Sequence, residues 1–231
     1  MQAHALTALL APGDPPHKTP VTYPFLTLLV SGGHTLLVLA ASPTRFRILA
    51  TTLDEAVGRV IDKVARALDL RWGSRGLGSA LEDFCSSGPT QEETLSDDIC
   101  KDAQALQFAR VMPGRLAFSF SGLHSQVDRI LNEYKDKSPP ESVRRAIARA
   151  FQDAVFSQLA DKVVLALKWC SSNGSSEKIG ELVDQFGTSS IIKHVVVSGG
   201  VASNALLRSR YVMMSKSGDH STQLFAGSQL A

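Results

Sequence analysis

The sequence has few cysteines, few aromatic residues and almost no excess charge. Its three cysteines, Cys85, Cys100 and Cys170, are odd in number and widely spaced. This spacing argues against a disulfide framework and against a zinc site, so we expect reduced or buried thiols. The net charge of +2 does not indicate a nucleic-acid-binding protein, because such proteins usually carry a strong positive excess. Any contact with RNA must therefore come from local basic patches.

Long apolar runs and readable targeting segments are also lacking. No stretch reaches the about 18 consecutive apolar residues that a membrane-spanning helix needs, so we expect no membrane contact. The N-terminus does not show the pattern of a signal peptide. It also has no arginine before Arg45, whereas organelle transit peptides are rich in arginine. The sequence itself therefore carries no recognisable address.

The N-terminal part of the chain contains three strand signals. Residues 1–24 combine a short helix-like piece with a Pro-rich loop, in which proline blocks regular structure. The strand signals follow as FLTLLV (25–30), TLLVLAA (35–41) and FRILATT (46–52). Only short turns separate them, and a parallel crossover needs a dozen residues or more. The spacing therefore predicts an antiparallel meander.

The rest of the chain alternates between helical and strand patterns. Apolar residues at three- and four-residue steps predict a helix from Asp54 to Leu68. Ser138-Pro139-Pro140-Glu141 is typical of a helix start, and the apolar stripe from Val143 to Leu167 predicts a helix of about 30 residues. Further predictions are a helical insertion at about 71–137, a helix at 177–186, a strand at 191–197, a helix at 202–211, a strand at 223–226, and a divergent polar tail over 212–231.

Two segments of the sequence repeat each other: LVSGG at 29–33 and VVSGG at 196–200. Each is an apolar strand that runs into Ser-Gly-Gly. Paired glycines after a strand let the backbone approach a ligand and direct N–H groups at an anion. The second copy also precedes a predicted helix, whose N-terminus favours phosphate. Two ordinary turns would give the same letters, so the repeat alone leaves both interpretations open.

Four segments, taken in order, resemble the bacterial and mitochondrial tRNA adenosine threonylcarbamoyltransferases. They are LLVSGGHT (28–35), DEAVGRVIDK (54–63), FSFSGL (118–123) and VVVSGGVASN (195–204). The resemblance runs from residue 1 to about 210, with gaps in 71–115. It implies an α/β fold of the actin/hexokinase-like (ASKHA) class, with one RNase H-like lobe over 25–211 and the first lobe missing. Residues 1–24 would be a remnant of the metal-motif helix and a Pro-rich loop, and we expect a chain truncated at both ends.

The resemblance also implies a reaction. These enzymes transfer the threonylcarbamoyl group from threonylcarbamoyl-adenylate to the adenosine 3′ of the anticodon in tRNAs that read codons beginning with A. We expect this activity to be impaired here. The implied partners are tRNA, threonylcarbamoyl-adenylate and a second copy in a homodimer, and the implied location is the mitochondrion. A non-catalytic interaction module and another actin-like phosphotransferase remain as alternatives, although the second does not explain DEAVGRVIDK together with FSFSGL.

The family's substrate-binding roles can be transferred to matching positions. The glycine turn would hold the phosphate and carbonyl groups of the adenylate. Asp62 would accept hydrogen bonds from the ribose, on a helix face shared with Asp54. On spacing alone, Asp62 could equally be a solvated helix carboxylate and Asn204 a capping residue. The implied substrate-binding residues are Leu29, Val30, Ser31, Gly32 and Gly33 of the turn, His34 that closes it, Asp62, Gly78 beside the adenosine, and Asn204 at the nucleotide.

The family also carries one divalent metal ion of the iron or zinc class per subunit. Met1-Gln2-Ala3-His4 looks like the second half of its metal motif, so His4 is the one matching ligand. No Cys-Thr-Asp-Asn segment is present to supply the aspartate. A catalytic metal needs about three protein ligands, so we expect the metal not to be retained and His4 to be a surface histidine.

Two further sets of residues remain ambiguous. FSFSGL is followed by His124 where the family usually has lysine, and its alternation of Phe and Ser is equally that of a half-buried strand. We therefore assign no catalytic residue. Arg144, Arg145 and Arg149 cluster at the start of the long helix, where they could bind RNA phosphates or form a solvated helix face.

Overall fold

A computed structural model describes residues 21–73, 75–88, 106, 108–134, 138–172, 192–217 and 223–226. Within these residues, five strands form one mixed sheet in the order β3-β2-β1-β4-β5. The first three pair as the predicted antiparallel meander, and β4 and β5 are parallel to β1. The strands are β1 (Phe25–Val30), β2 (Thr35–Ser42), β3 (Arg45–Thr51), β4 (His194–Ser198) and β5 (Gln223–Ala226).

The composition of each strand matches its place in the sheet. All six residues of β1 are buried, as expected for a central strand covered on both faces. The β3 strand forms one edge of the sheet, and its residues are mostly exposed or half-buried. β4 is continuously buried like β1, beside which it lies. The apolar runs in the sequence therefore mark the strands at the centre of the sheet.

Helices occupy the long connection between β1 and β4 and the segment after β4. The α1 helix buries one apolar face, and it ends where Asp69 adopts a left-handed conformation with φ 54°. The long helix begins at Glu141, three residues after Ser138, and has 32 residues. The helices are α1 (Val57–Ala67), α2 (Leu77–Ser86), α3 (Ser121–Asn132), α4 (Glu141–Ser172), a 3₁₀ turn (Gly200–Ser203) and α5 (Ala205–Ser217).

The main core lies between one face of the sheet and helices α1, α3 and α4. Leu28 and Val30 of β1 share this core with Val60 of α1 and Phe151 of α4, and all four side chains are fully buried. Each fully buried side chain of this size stabilises the fold by about 1.5–3 kcal/mol. None of the helices within the described ranges has the length and apolar content needed to cross a bilayer.

The structure decides one open alternative and corrects one prediction. The strand alternative for residues 118–123 does not hold: Phe118 forms an isolated bridge with Thr52, and Ser121 already begins α3. Asp54 does not share a helix face with Asp62, because α1 starts only at Val57. After Tyr211, α5 continues to Ser217, and the strand predicted at 223–226 is confirmed as β5. The helix predicted at 177–186 and the helix-like N-terminal piece lie outside the described residues.

Candidate functional site

The two Ser-Gly-Gly segments meet at one edge of the sheet. Because β1 and β4 are parallel neighbours with Leu29 in register with Ser198, their carboxyl ends lie side by side. Gly199 sits directly against the backbone of Val30: an added Cβ would lie 2.2 Å from the Val30 carbonyl oxygen. Gly199 also has φ 105° and ψ 168°, a region that is essentially open to glycine alone. The repeat seen in the sequence is therefore a pair of adjoining turns.

The first turn connects β1 to β2 and is held by Ser31. The Ser31 amide donates to the His34 carbonyl at 2.8 Å. The Ser31 hydroxyl oxygen accepts hydrogen bonds from the amides of Gly33 at 3.3 Å and His34 at 3.0 Å. The Gly32 amide has no such partner among the described residues. The turn therefore presents one backbone donor that no described residue uses.

Helix α1 fixes the position of this turn. The Gly58 amide donates to the Ser31 carbonyl at 3.2 Å, and the Val57 amide donates to the Thr35 hydroxyl at 2.8 Å. A Cβ on Gly58 would lie 2.8 Å from the Gly32 nitrogen. Glycine at position 58 thus lets the start of the helix pack directly against the backbone of the turn. The sequence pattern did not predict this contact.

A polar cavity of about 410 Å³ opens beside this turn. Its volume falls in the range typical of small-molecule sites. The cavity wall includes Gly32, Asp62, Gly78 and Asn204, which are four of the residues implied by the resemblance. Glu82, Trp72 and Arg75 also line it and were not predicted. A larger cavity of about 1200 Å³ lies between α4 and the segment 108–113, but it contains none of the predicted substrate-binding residues.

The Asp62 carboxylate lies at the cavity wall. It makes no hydrogen bond to any described residue, and Ile61 beside it packs 3.8 Å from the position of a Cβ on Gly78. Burial raises the pKa of Asp62, and the charge of Arg66 partly opposes this rise. A desolvated carboxylate without a donor of its own is a candidate for binding ligand hydroxyl groups.

Asn204 has a structural role as well as a place at the cavity. Its side-chain oxygen accepts hydrogen bonds from the amides of Leu206 at 3.0 Å and Leu207 at 3.2 Å, which makes it the N-cap of α5. The Glu82 carboxylate accepts a further bond from the Ala205 amide at 2.7 Å. The Ala205, Leu206 and Leu207 amides at the N-terminus of α5 are therefore satisfied by protein groups, and a phosphate at the second Ser-Gly-Gly turn stays a prediction. Of the two polar atoms of the Asn204 side chain, the nitrogen remains as a donor for a ligand.

The remaining predicted residues of the first turn do not line the cavity. Leu29 and Val30 are buried within β1, and the Ser31 side chain is engaged in the turn. Gly33 and His34 are exposed outside the cavity wall. Of this segment, the structure brings the backbone of Gly32 to the site.

The FSFSGL segment binds the carboxylate of Asp54, a residue that was predicted to lie on the helix face of Asp62. The Asp54 carboxylate accepts hydrogen bonds from the hydroxyls of Ser119 at 2.7 Å and Ser121 at 2.6 Å, and from the Phe120 amide at 3.0 Å. Burial alone would raise the pKa of Asp54, but the bonds from Ser121, Phe120 and Ser119 hold it well below its usual value. The alternating pattern buries both Phe side chains and turns both Ser side chains to Asp54. This cluster joins the start of α1 to the start of α3.

The arginines of this cluster donate hydrogen bonds to backbone carbonyls of neighbouring segments. The Arg144 guanidinium donates to the Leu68 carbonyl at 2.9 Å, and Arg149 donates to the Cys85 carbonyl at 2.8 Å. Arg145 donates to the Gly88 carbonyl and pairs with Glu141. These carbonyls lie at or just past the C-terminal ends of α1 and α2, where the helix dipole favours a cation. The cluster therefore fastens α4 to the two shorter helices.

The thiols of the described residues behave as predicted. Cys85 and Cys170 are free. Burial raises the pKa of Cys85 to about 12 and that of Cys170 to about 11, so both stay protonated near neutral pH. Cys100 lies outside the described residues.

The metal site that the family carries is not represented in the described part of the chain. His4 lies outside it. Within it, no three His, Cys, Asp or Glu side chains are grouped so that they could hold a metal ion.

The mixed sheet and its cavity define an α/β domain with a polar site at the carboxyl ends of its parallel strands. The site lies where the strand order turns from β1 to β4, the place at which open α/β sheets generally bind ligands. Residues 1–226 match the sequence profile of the tRNA N6-adenosine threonylcarbamoyltransferases, and the chain belongs to that family. The match confirms the resemblance and extends it to the end of β5.

Individual relatives agree with this assignment. The chain is 35% identical over 212 residues to the tRNA N6-adenosine threonylcarbamoyltransferase of Granulibacter bethesdensis, covering 90% of this chain and 49% of that protein. It is 36% identical over 219 residues to the mitochondrial enzyme of Danio rerio, covering 90% and 46%. Component A of (R)-2-hydroxyglutaryl-CoA dehydratase from Acidaminococcus fermentans has a TM-score of 0.45 and 16% identity, covering 100% of this chain and 61% of its own. The chain thus spans about half the length of the relatives it matches, which include bacterial and mitochondrial proteins.

Proposed function

We propose that this chain is the nucleotide-binding part of a tRNA adenosine threonylcarbamoyltransferase and that it binds threonylcarbamoyl-adenylate in the cavity. One observation carries the proposal. Gly32, Asp62, Gly78 and Asn204 are far apart in sequence, yet they line one cavity at the carboxyl edge of the sheet. Two turns without a shared function would not be expected to gather a carboxylate, an amide and two glycines in one cavity.

The sheet supports a more specific description of the fold. The strand order β3-β2-β1-β4-β5, with β2 antiparallel to its neighbours, is that of an RNase H-like lobe as found in ASKHA proteins. In this proposal the lobe begins at residue 25 and extends through β5. Homodimer formation and a mitochondrial location are further proposals, which follow from the family.

The proposed ligand positions follow the course of α1. Gly58 packs against the turn that contains Gly32, and Asp62 follows one helical turn later, about 6 Å along the axis. We assign the phosphate of the adenylate to the unused Gly32 amide and its ribose hydroxyls to the Asp62 carboxylate. The Asn204 side-chain nitrogen donates to the nucleotide from the opposite wall, and Gly78 leaves space for the adenosine.

In the proposed reaction, the exocyclic amine of the tRNA adenosine attacks the carbamoyl carbon. The bond from that carbon to the phosphate oxygen breaks, AMP leaves, and the amine loses a proton. A backbone donor at Gly32 stabilises the negative charge of the leaving phosphate without having to reorganise. The described residues offer no metal cluster, so no step is assigned to the family's metal ion.

Isothermal titration of the purified chain with a non-hydrolysable threonylcarbamoyl-adenylate analogue tests the binding proposal. We expect the chain to bind the analogue and Asp62→Asn to weaken binding. Asp83→Asn is the matched control, because Asp83 is exposed on α2 and outside the cavity wall. No heat of binding from a chain that unfolds cooperatively would reject the proposal. Mass spectrometry of tRNA nucleosides after incubation with threonylcarbamoyl-adenylate then tests whether the chain performs the transfer.

A further inference from the structure

The cavity has an aromatic residue at its rim that the roles above leave unused. Trp72 lines the cavity but is 72% exposed, more than any other large apolar side chain described. Single exposed apolar residues are common and need no special explanation. Trp72 differs from these because its ring borders the same polar cavity as Gly32, Asp62, Gly78 and Asn204.

A short turn follows Trp72. Gly73 and Gly76 form an isolated antiparallel bridge, in which the Gly76 amide donates to the Gly73 carbonyl at 3.1 Å. Gly76 has φ 103°, and a Cβ there would lie 3.9 Å from the indole ring of Trp72. The indole ring of Trp72 therefore lies close to Gly76, whose backbone conformation favours glycine. Most of the Trp72 side chain is exposed to solvent.

The ligand positions assigned along α1 indicate which part of the nucleotide the Trp72 ring would contact. At the first turn of α1, Gly58 touches the loop assigned to the phosphate, and Asp62 one turn later is assigned to the ribose. The helix ends at Ala67, and Trp72 follows in the connection to α2. Phosphate, ribose and base succeed one another in a nucleotide, so the base should lie at this end of the cavity.

We propose that the Trp72 indole is the stacking platform for the adenine of the bound adenylate. The proposal deepens the nucleotide-binding function above and depends on it. Stacking suits the site because an aromatic face binds any base by its π surface and needs no hydrogen-bond partner. A base of the tRNA substrate is the competing occupant, and the test below separates the two.

The chain contains an internal control for this test. Its second tryptophan, Trp169, is only partly exposed and lies under the guanidinium of Arg47, 5.4 Å from the ring centre. Trp169 is not part of the cavity wall. A Trp169→Phe protein therefore has Trp72 as its sole indole, and its fluorescence reports on the cavity rim alone.

The experiment titrates Trp169→Phe with AMP and, as a ligand without a base, ribose 5-phosphate. We expect AMP to quench the Trp72 emission with the same dissociation constant that calorimetry gives, and ribose 5-phosphate to bind without quenching. Trp72→Ala should weaken AMP binding about tenfold, the loss expected for one stacked base, while leaving ribose 5-phosphate binding unchanged. Trp72→Phe should restore most of the AMP affinity.

Other outcomes separate this inference from the function on which it rests. If AMP binds by calorimetry but neither quenches Trp72 nor loses affinity in Trp72→Ala, the stacking role is wrong and the nucleotide site stands. If Trp72→Ala instead weakens only tRNA binding, the platform belongs to the tRNA and the proposal is overturned. If a cooperatively folded chain binds no AMP at all, both the stacking role and the nucleotide site are rejected.

Discussion

The Ser31-Gly32-Gly33 turn and the Ser198-Gly199-Gly200 turn follow parallel neighbouring strands and adjoin at the same sheet edge. At Gly199 a side chain would collide with the Val30 backbone, and the φ of 105° is one that other residues rarely adopt. At Gly32 and Gly33 a Cβ would meet no heavy atom within 4 Å. Packing therefore requires glycine in the second turn, whereas the glycines of the first turn leave its backbone open.

The polar residues near the two turns show the same contrast. Asn204 and Glu82 lie on the side of the second turn, and their side-chain oxygens accept the hydrogen bonds that cap α5. Asp62, on the side of the first turn, has no hydrogen-bond partner among the described residues. The side-chain oxygens beside the second turn are thus used by the protein's own hydrogen bonds, whereas the Asp62 carboxylate beside the first turn has no such bond to a described residue. Substitutions at five positions test this comparison.

The largest effect is expected from Gly199→Ala. It adds backbone strain in a glycine-only region and a contact that cannot be relieved without moving β1, and together these should cost about 4 kcal/mol of unfolding free energy. Urea denaturation followed by circular dichroism measures this loss. Gly33→Ala is the control from the other turn. If Gly199→Ala lowers the free energy of unfolding by less than about 1 kcal/mol, the two turns do not differ in the way described.

Gly58→Ala should have the next largest effect. The new methyl group would press on the backbone of Ser31 and Gly32, at a cost of about 2 kcal/mol, slightly offset by the better helix propensity of alanine. Because the turn must move, binding of AMP should weaken as well. Arg59→Ala, at an exposed position of the same helix, should leave both quantities unchanged. Unaltered AMP binding in Gly58→Ala would mean that the turn does not need this support.

Asn204 allows its structural and binding roles to be separated. Asn204→Ala removes the cap of α5 and should cost about 1 kcal/mol. Asn204→Asp keeps a capping oxygen but lacks the side-chain nitrogen, so it should preserve stability and still weaken AMP binding. Denaturation and calorimetry on both variants check this. Full AMP affinity in Asn204→Asp would exclude the nitrogen as a ligand donor.

Gly32→Ala should change stability by no more than about 0.5 kcal/mol, since the added methyl group has open space. It should still reduce AMP affinity, because Gly32 lines the cavity and its amide is assigned to the phosphate. Gly33→Ala, outside the cavity wall, should keep AMP affinity within about twofold. Equal binding by the two variants would contradict the placement of the phosphate.

Asp62→Asn should produce the smallest change in stability, and it should stabilise the protein, whereas the other substitutions destabilise it or leave it nearly unchanged. Burial raises the pKa of Asp62, so the folded chain holds the proton more tightly than the unfolded chain does. Stability therefore falls as pH rises from the ordinary carboxyl value of about 3.9 through the raised pKa, and the charge is slightly destabilising at neutral pH. We expect a small increase in Tm for Asp62→Asn at pH 7 that disappears below about pH 4. Asp83→Asn should show no such pH-dependent gain, and a lower Tm for Asp62→Asn at pH 7 would indicate an unrecognised partner of the carboxylate.

Much of the fold could be predicted because the patterns are local. Continuous apolar runs bounded by turn residues identified β1, β2 and β4, and the four-residue spacing of apolar residues identified α4. The errors arose where a single tertiary contact decides the structure. Phe118 to Ser121 alternates like a strand, but hydrogen bonds from Ser119 and Ser121 to the distant Asp54 start a helix instead. Likewise, nothing in the local sequence shows that Arg149 would reach the carbonyl of Cys85.

The sequence by itself determined the meander, the central strands, the long helix and the family, because each depends on residue types at short spacing or on motifs in order. Tertiary structure alone decided which glycines are obligatory, that Asn204 and Glu82 cap a helix, and that Trp72 stands at the rim of the cavity. These depend on distances between segments that lie tens of residues apart. Such distances are fixed only when β1 and β4 pair and α1 packs against the turn between β1 and β2.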